Sequence, residues 1–150
     1  MKTLVVSGAL PSSDAKSAWT IGRLGALYAR LALAASFLSG IADRFGIYHG
    51  RDGGYGNFAG FLKYTAQVNS FMPASTIPFL GWSATFFEFT FGVLLVLGLW
   101  TRWVAWGSAA LLVLFGTAMA ISFGMKAPLD YSVFSASACA VLLALYEEKK

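Results

Sequence analysis

Glu88 lies midway along the apolar run 77–100, which is long enough to cross a bilayer. A carboxylate at that depth costs about 2.5–3.5 kcal/mol even on lenient insertion scales. Arg30 lies near the middle of the first apolar run, 20–42. Adjacent spans run antiparallel, so two mid-span residues are expected to meet at similar depth. Arg30 and Glu88 are therefore expected to form an intramembrane pair. Ionisable groups inside a membrane mark binding, proton handling or bundle-holding ion pairs, and these three roles stay open here.

The neighbours of Glu88 support a protein-facing position. Gly81, Thr85, Glu88 and Gly92 fall on one helical stripe. Small residues on such a stripe let another helix approach closely. Phe79, Phe86 and Val93 are left to face lipid. Arg23 and Arg30 are seven residues apart on one face of the first span, about 10.5 Å along the axis. Arg23 can snorkel to the interface; Arg30 cannot do so easily.

A second polar group is expected at the far surface. Asp43 and Arg44 end the first span, while Lys126, Asp130 and Tyr131 flank the start of the fourth. His49 is on the same side, in a loop. These residues read either as ordinary interfacial charge or as a binding cluster. Trp82, with Trp100, Trp103 and Tyr146, falls near a span end, as an aromatic belt does.

The elements that must position these residues are helical spans. The chain of 150 residues is 57% hydrophobic and 12% charged, with a mean hydropathy of +0.65. Soluble domains carry about 25% charged residues, so this composition belongs to an integral membrane protein. Four spans are readable, at about 20–42, 77–100, 103–123 and 129–146, preceded by a tail over 1–19. The expected fold is all-α: one domain, an antiparallel four-helix transmembrane bundle. The long segment 43–76 contains Phe58, Phe61, Leu62, Thr65, Val68 and Met72 at helical spacing. It reads as one amphipathic helix lying at the interface or capping the bundle. The fourth span is rich in Ser and Ala and suits a position inside the bundle. The start of the tail mildly imitates a signal peptide, but its apolar core is short and broken by Ser7 and Gly8.

Four spans place both termini on one side, with Lys2, Lys16, Arg23, Arg102, Lys149 and Lys150. The other side carries Arg44, Arg51, Lys63 and Lys126, so the basic bias favours cytoplasmic termini. The basic residues are scattered and accompany no nucleic-acid motif, so no nucleic-acid partner is expected. A single cysteine, Cys139, excludes an intramolecular disulfide and reads as a packing residue. One His and one Cys cannot supply the axial ligands of a b-type haem or the thiolates of an iron–sulfur cluster. No metal site and no covalently bound cofactor is expected. Electron chemistry here would use a diffusible carrier such as a quinone, or a cofactor-bearing partner.

The first span reads R-x6-R-L-A-L-A-A-x-F-L-S-G over residues 23–40, and GVLLVLGLWTR follows Glu88. These stretches resemble the DoxX family of small bacterial four-helix membrane proteins. The segments ADRFGIY, FLKYTAQVN and KAPLDYSVFSASA resemble one subgroup of that family. The resemblance runs from about Arg23 to Leu145. It implies likeness to the DoxD subunit of thiosulfate:quinone oxidoreductase, which oxidises thiosulfate to tetrathionate and passes the electrons to quinone. On that footing Arg30 would hold an anionic substrate or a quinone oxygen. Glu88 would orient Arg30 or accept a quinone proton. Asp43, Arg44, Trp82, Thr85, Lys126, Asp130 and Tyr131 would line the substrate or quinone site.

Three functional classes remain: a quinone-linked oxidoreductase or its membrane subunit, a non-catalytic subunit stabilising a larger redox complex, and a small-molecule or ion carrier. The partners implied are the lipid bilayer, a quinone, a redox partner subunit and further copies of the chain. The location implied is the bacterial inner membrane.

Overall fold

The computed structural model describes residues 13–48 and 54–149, with side chains from residue 20 onward. His49, Arg51 and the signal-like segment before Ser13 lie outside the described residues. The described chain is helical throughout: α1 (Ser13–Arg44), α2 (Phe58–Val68), a single 3-10 turn (Ala74–Thr76), α3 (Ile77–Leu97), α4 (Thr101–Phe123), the short α5 (Lys126–Asp130) and α6 (Val133–Glu148). Among the described residues three segments are helical, long and apolar enough to cross a membrane: Thr20–Arg44, Ala74–Leu97 and Thr101–Phe123.

The ends of these helices follow from local chemistry. Pro78 opens α3, where its missing N–H and fixed φ suit a first turn. Gly98 closes α3 with φ +70, a conformation that a side chain would strain. The N–H of Leu99 donates to the Leu94 carbonyl at 3.1 Å and that of Gly98 to Leu95 at 3.3 Å, so two otherwise orphaned carbonyls are satisfied. Three residues then suffice to turn the chain into α4. The side chain of Asn57 accepts from the N–H of Gly60 at 2.9 Å and caps α2.

α1 packs along α3, and α4 packs along α6, with α3 against α4 and α1 against α6 joining the two pairs. The shared apolar core combines Leu33, Ala34 and Phe37 of α1 with Leu95 of α3. Val104, Ala105 and Ala109 of α4 and Ala140, Leu143 and Ala144 of α6 complete it. Five of these ten are alanines, which lets the backbones approach without a driving force from water. Ser137 donates to the Ala109 carbonyl at 3.1 Å, tying α6 to α4.

Three expectations change. The tail expected over 1–19 is helical from Ser13, because nothing breaks the helix upstream of the apolar run. The fourth span is not one helix over 129–146. It breaks at Ser132, which has φ +55, into α5 and a 16-residue α6. At 1.5 Å per residue, α6 is about 24 Å long. Val93 is partly buried rather than lipid-facing, whereas Phe79 and Phe86 are 72% and 64% exposed.

The register of α1 against α3 decides where the charges fall. A Cβ on Gly92 would meet Leu38, one on Gly40 would lie 3.3 Å from Glu88 Oε2, and one on Gly98 would lie 2.5 Å from Arg30 Nη1. The two helices therefore run antiparallel, with Gly40 level with Glu88 and Arg30 level with the end of α3. α1 stops near the level of Thr85. The first two turns of α3 are covered instead by α2, whose Leu62 and Phe61 pack on Gly81.

Candidate functional site

Glu88 lies on the buried stripe of α3 with Ile77, Gly81, Thr85, Gly92 and Leu95. It pairs with Arg44, not Arg30. Arg44 Nη2 donates to Glu88 Oε1 and Oε2, each at 2.7 Å, and Nη1 donates to Thr85 Oγ1 at 3.1 Å. The Thr85 hydroxyl donates in turn to the Gly81 carbonyl at 2.8 Å. Arg44 and Glu88 are 4% and 5% exposed. The expected Arg30–Glu88 pair fails because the two apolar runs are not centred on each other. Residues 88 and 98 are ten apart in α3, so the end of α3 beside Arg30 lies about 15 Å from Glu88 along the axis.

The guanidinium of Arg44 is roofed by α2. Its Cζ lies 3.8 Å from the centroid of the Phe61 ring, within cation–π range. Phe58 stacks between Phe61 and Trp82, with centroid separations of 5.7 and 4.4 Å. Tyr55 meets Phe61 edge-on at 5.2 Å and Tyr64 at 5.3 Å. An aromatic face thus covers the Arg44 guanidinium, and the Glu88 carboxylate and Thr85 hydroxyl accept from its edge.

Asp43 is also buried, and turns to the connecting segment rather than to Arg44's partners. Its Oδ2 accepts the backbone N–H of Tyr55 at 2.7 Å. A Cβ on Gly54 would lie 2.4 Å from Asp43 Oδ1, so a side chain there would displace the Asp43 carboxylate. Burial, followed by the nearby Tyr64 phenol, pushes the Tyr55 hydroxyl up to about 12. Tyr64 is likewise raised, first by burial and then by Tyr131. Two polar atoms in this cluster are buried without a hydrogen-bond partner: Arg44 Nε and Asp43 Oδ1. A native structure leaves few such atoms, and each asks for an explanation.

The expected far-surface cluster does not assemble. Lys126 and Asp130 pair with each other on the exposed face of α5, and Tyr131 is 72% exposed. Arg44 instead reaches α3 inside the bundle and Asp43 turns to the segment before α2, because α2 shelters the end of α1. Arg30 lies apart, lining a cleft with Arg23, Ala26, Leu27, Tyr146 and Glu147. Among the described residues no group of three His, Cys, Asp or Glu could hold a metal ion.

One comparison with known proteins gives a match. A DoxX family model matches residues 25–122, about two thirds of the chain, from the Arg30 turn through α4. The chain belongs to the DoxX family. No curated protein and no solved structure matches it. The match takes in Arg44, Tyr55, Phe61, Thr85 and Glu88 together. Family membership and the apolar helices make this DoxX chain a membrane protein.

Sequence reasoning named Arg44, Glu88, Asp43, Trp82 and Thr85 but assigned Glu88 the wrong partner. It missed Tyr55, and it placed Phe61 on a helix lying at the interface or capping the bundle without linking that ring to Arg44. The signal lay in α2: an amphipathic helix in the segment that follows a charged span end can fold back over that end and remove it from water.

Proposed function

We propose that this DoxX protein is a quinone-linked oxidoreductase or its membrane subunit in the bacterial inner membrane. Its substrate would be thiosulfate or another small reduced sulfur species. In this reading α6 completes a four-helix transmembrane bundle, α2 lies at the far interface, and both termini face the cytoplasm. The observation that carries it is the buried Arg44 guanidinium with a free Nε under a roof of aromatic rings. That combination fits a flat ring bearing carbonyl acceptors, since the rings supply stacking faces and Nε supplies a donor.

A quinone supplies the two-electron, two-proton acceptor of such a reaction. Arg44 would donate from Nε to a carbonyl oxygen. Glu88 and Thr85 hold Arg44 in place, so the donor is oriented before anything binds. Asp43, with Oδ1 unpartnered, is one carboxylate able to take part in proton exchange, and Glu88 is the second. Phe61 must swing aside to admit a ligand, which makes α2 the moving part.

The competing reading is a non-catalytic subunit that stabilises a redox complex. It is favoured by one observation: Arg44 and Glu88 already satisfy each other and are sealed by Phe61. Mass spectrometry of molecules that co-purify in mild detergent separates the two. Wild type is expected to retain a quinone, and folded Arg44→Gln and Glu88→Gln proteins to lose it. A stoichiometric redox partner without quinone, held equally by all three, would make the pair a bundle tie.

A further inference from the structure

The end of the bundle opposite the Arg44 site holds a second polar feature. A cleft of about 200 Å³ opens between α1 and α6, bounded by Arg23, Ala26, Leu27, Arg30, Tyr146 and Glu147. Three observations bear on its occupant. The first is depth: Arg30 is level with Gly98, where α3 ends, so the cleft lies at the headgroup boundary and not in the hydrocarbon core. The second is charge: two guanidinium groups about two turns apart on one face of α1 meet a phenol and one carboxylate. The third is an unmet donor: Arg30 Nε is buried without a hydrogen-bond partner. The other end of that guanidinium is pressed against the turn at Gly98.

We propose that this cleft is a phosphate site that holds the headgroup of a membrane phospholipid. A guanidinium presents donors in a fixed fork that matches phosphate oxygens. Arg30 supplies Nε from inside the cleft, and Arg23, about two turns further out on the same face, adds positive charge at its mouth. Leu27 and Ala26 line the cleft beside the arginines, as the start of an acyl chain requires. Glu147 adds a negative group at the rim and suits an ethanolamine ammonium on the same phosphate. The bound lipid would bridge α1 and α6 at the level of the turn between α3 and α4, where Arg102 of α4 pairs with Glu148 of α6.

The test uses the full chain in mild detergent, with native mass spectrometry as readout. The probes are phosphatidylethanolamine, diacylglycerol of the same chains, and inorganic phosphate alone. The expected result is one phosphatidylethanolamine per chain, at least tenfold weaker in Arg30→Gln, and no retained diacylglycerol. Should Arg30→Gln fail to fold, Arg23→Gln, at an exposed residue, carries the same expectation. Inorganic phosphate bound in place of lipid, and lost in the variants, overturns the lipid as the source and leaves a soluble oxyanion. Equal retention of diacylglycerol and phospholipid, or lipid binding unchanged in both variants, overturns the site. The residues are distinct from Arg44 and Glu88, so either idea can fail without the other.

Discussion

At the scale of single residues, the buried charges among the described residues are Asp43, Arg44 and Glu88, and the last two form a pair. Arg44 and Glu88 each satisfy the other, so removing one leaves an uncompensated charge. Arg44→Gln or Glu88→Gln is expected to lower unfolding free energy in detergent by about 3–5 kcal/mol, and the double change to recover much of it. The same cycle between Arg30 and Glu88 is expected to be additive within about 0.5 kcal/mol, because their side chains share no partner. Coupling between Arg30 and Glu88 would mean the register of α1 is wrong. Tyr55 gives a prediction in pH. Its hydroxyl is raised to about 12 when folded, against the ordinary value of 10.0. The folded state therefore binds more protons between those values. Its stabilising share is intact below the ordinary value and is lost as pH rises towards the folded value. The tyrosinate absorbance of wild type should contain a late-titrating component that Tyr55→Phe removes. A Tyr55→Phe curve unchanged at high pH would show that the phenol is not sheltered.

At the scale of elements, α2 is the unusual part. It replaces the missing end of α1 over the first turns of α3, burying Phe61, Thr65 and Val68 against the bundle. Ser122 of α4 donates to the Val68 carbonyl at 2.6 Å and accepts from Ser70 at 3.1 Å, which pins the far end of α2. The near end rests on Gly81, where a Cβ would lie 2.4 Å from Leu62. Gly81→Val is expected to lift α2 off α3 while leaving α4 and α6 intact. Hydrogen exchange should then rise in α2 and not in the core of α4; uniform protection across both would count against α2 as a separable roof. Phe61→Ala removes a buried ring and is expected to cost about 3–5 kcal/mol. If the ring also gates Arg44, the same change should speed ligand exchange.

At the scale of the whole molecule, two helix pairs share a core built largely of alanine, and outward aromatic and aliphatic side chains surround it. Reporter fusions are expected to place the C-terminus and the α3–α4 turn on one side, and the α4–α5 turn on the other. A reporter at the α4–α5 turn on the same side as the C-terminus would mean α6 does not cross. The sequence by itself determined the helical class, the three long apolar helices, the buried stripe through Gly81, Thr85, Glu88 and Gly92, and the amphipathic face of α2. These depend on periodicity and hydropathy, which are local properties of the chain. It also carried the motifs behind the DoxX resemblance. Only the tertiary structure decided which arginine meets Glu88. That choice depends on the axial offset of α1 against α3, which close packing of Gly40 and Gly92 fixes. A shift of a few residues moves every side-chain level by several ångströms while leaving the pattern of each helix unchanged. The break at Ser132 and the inward turn of Asp43 and Arg44 were likewise hidden, because each follows from what covers a helix end rather than from the helix itself.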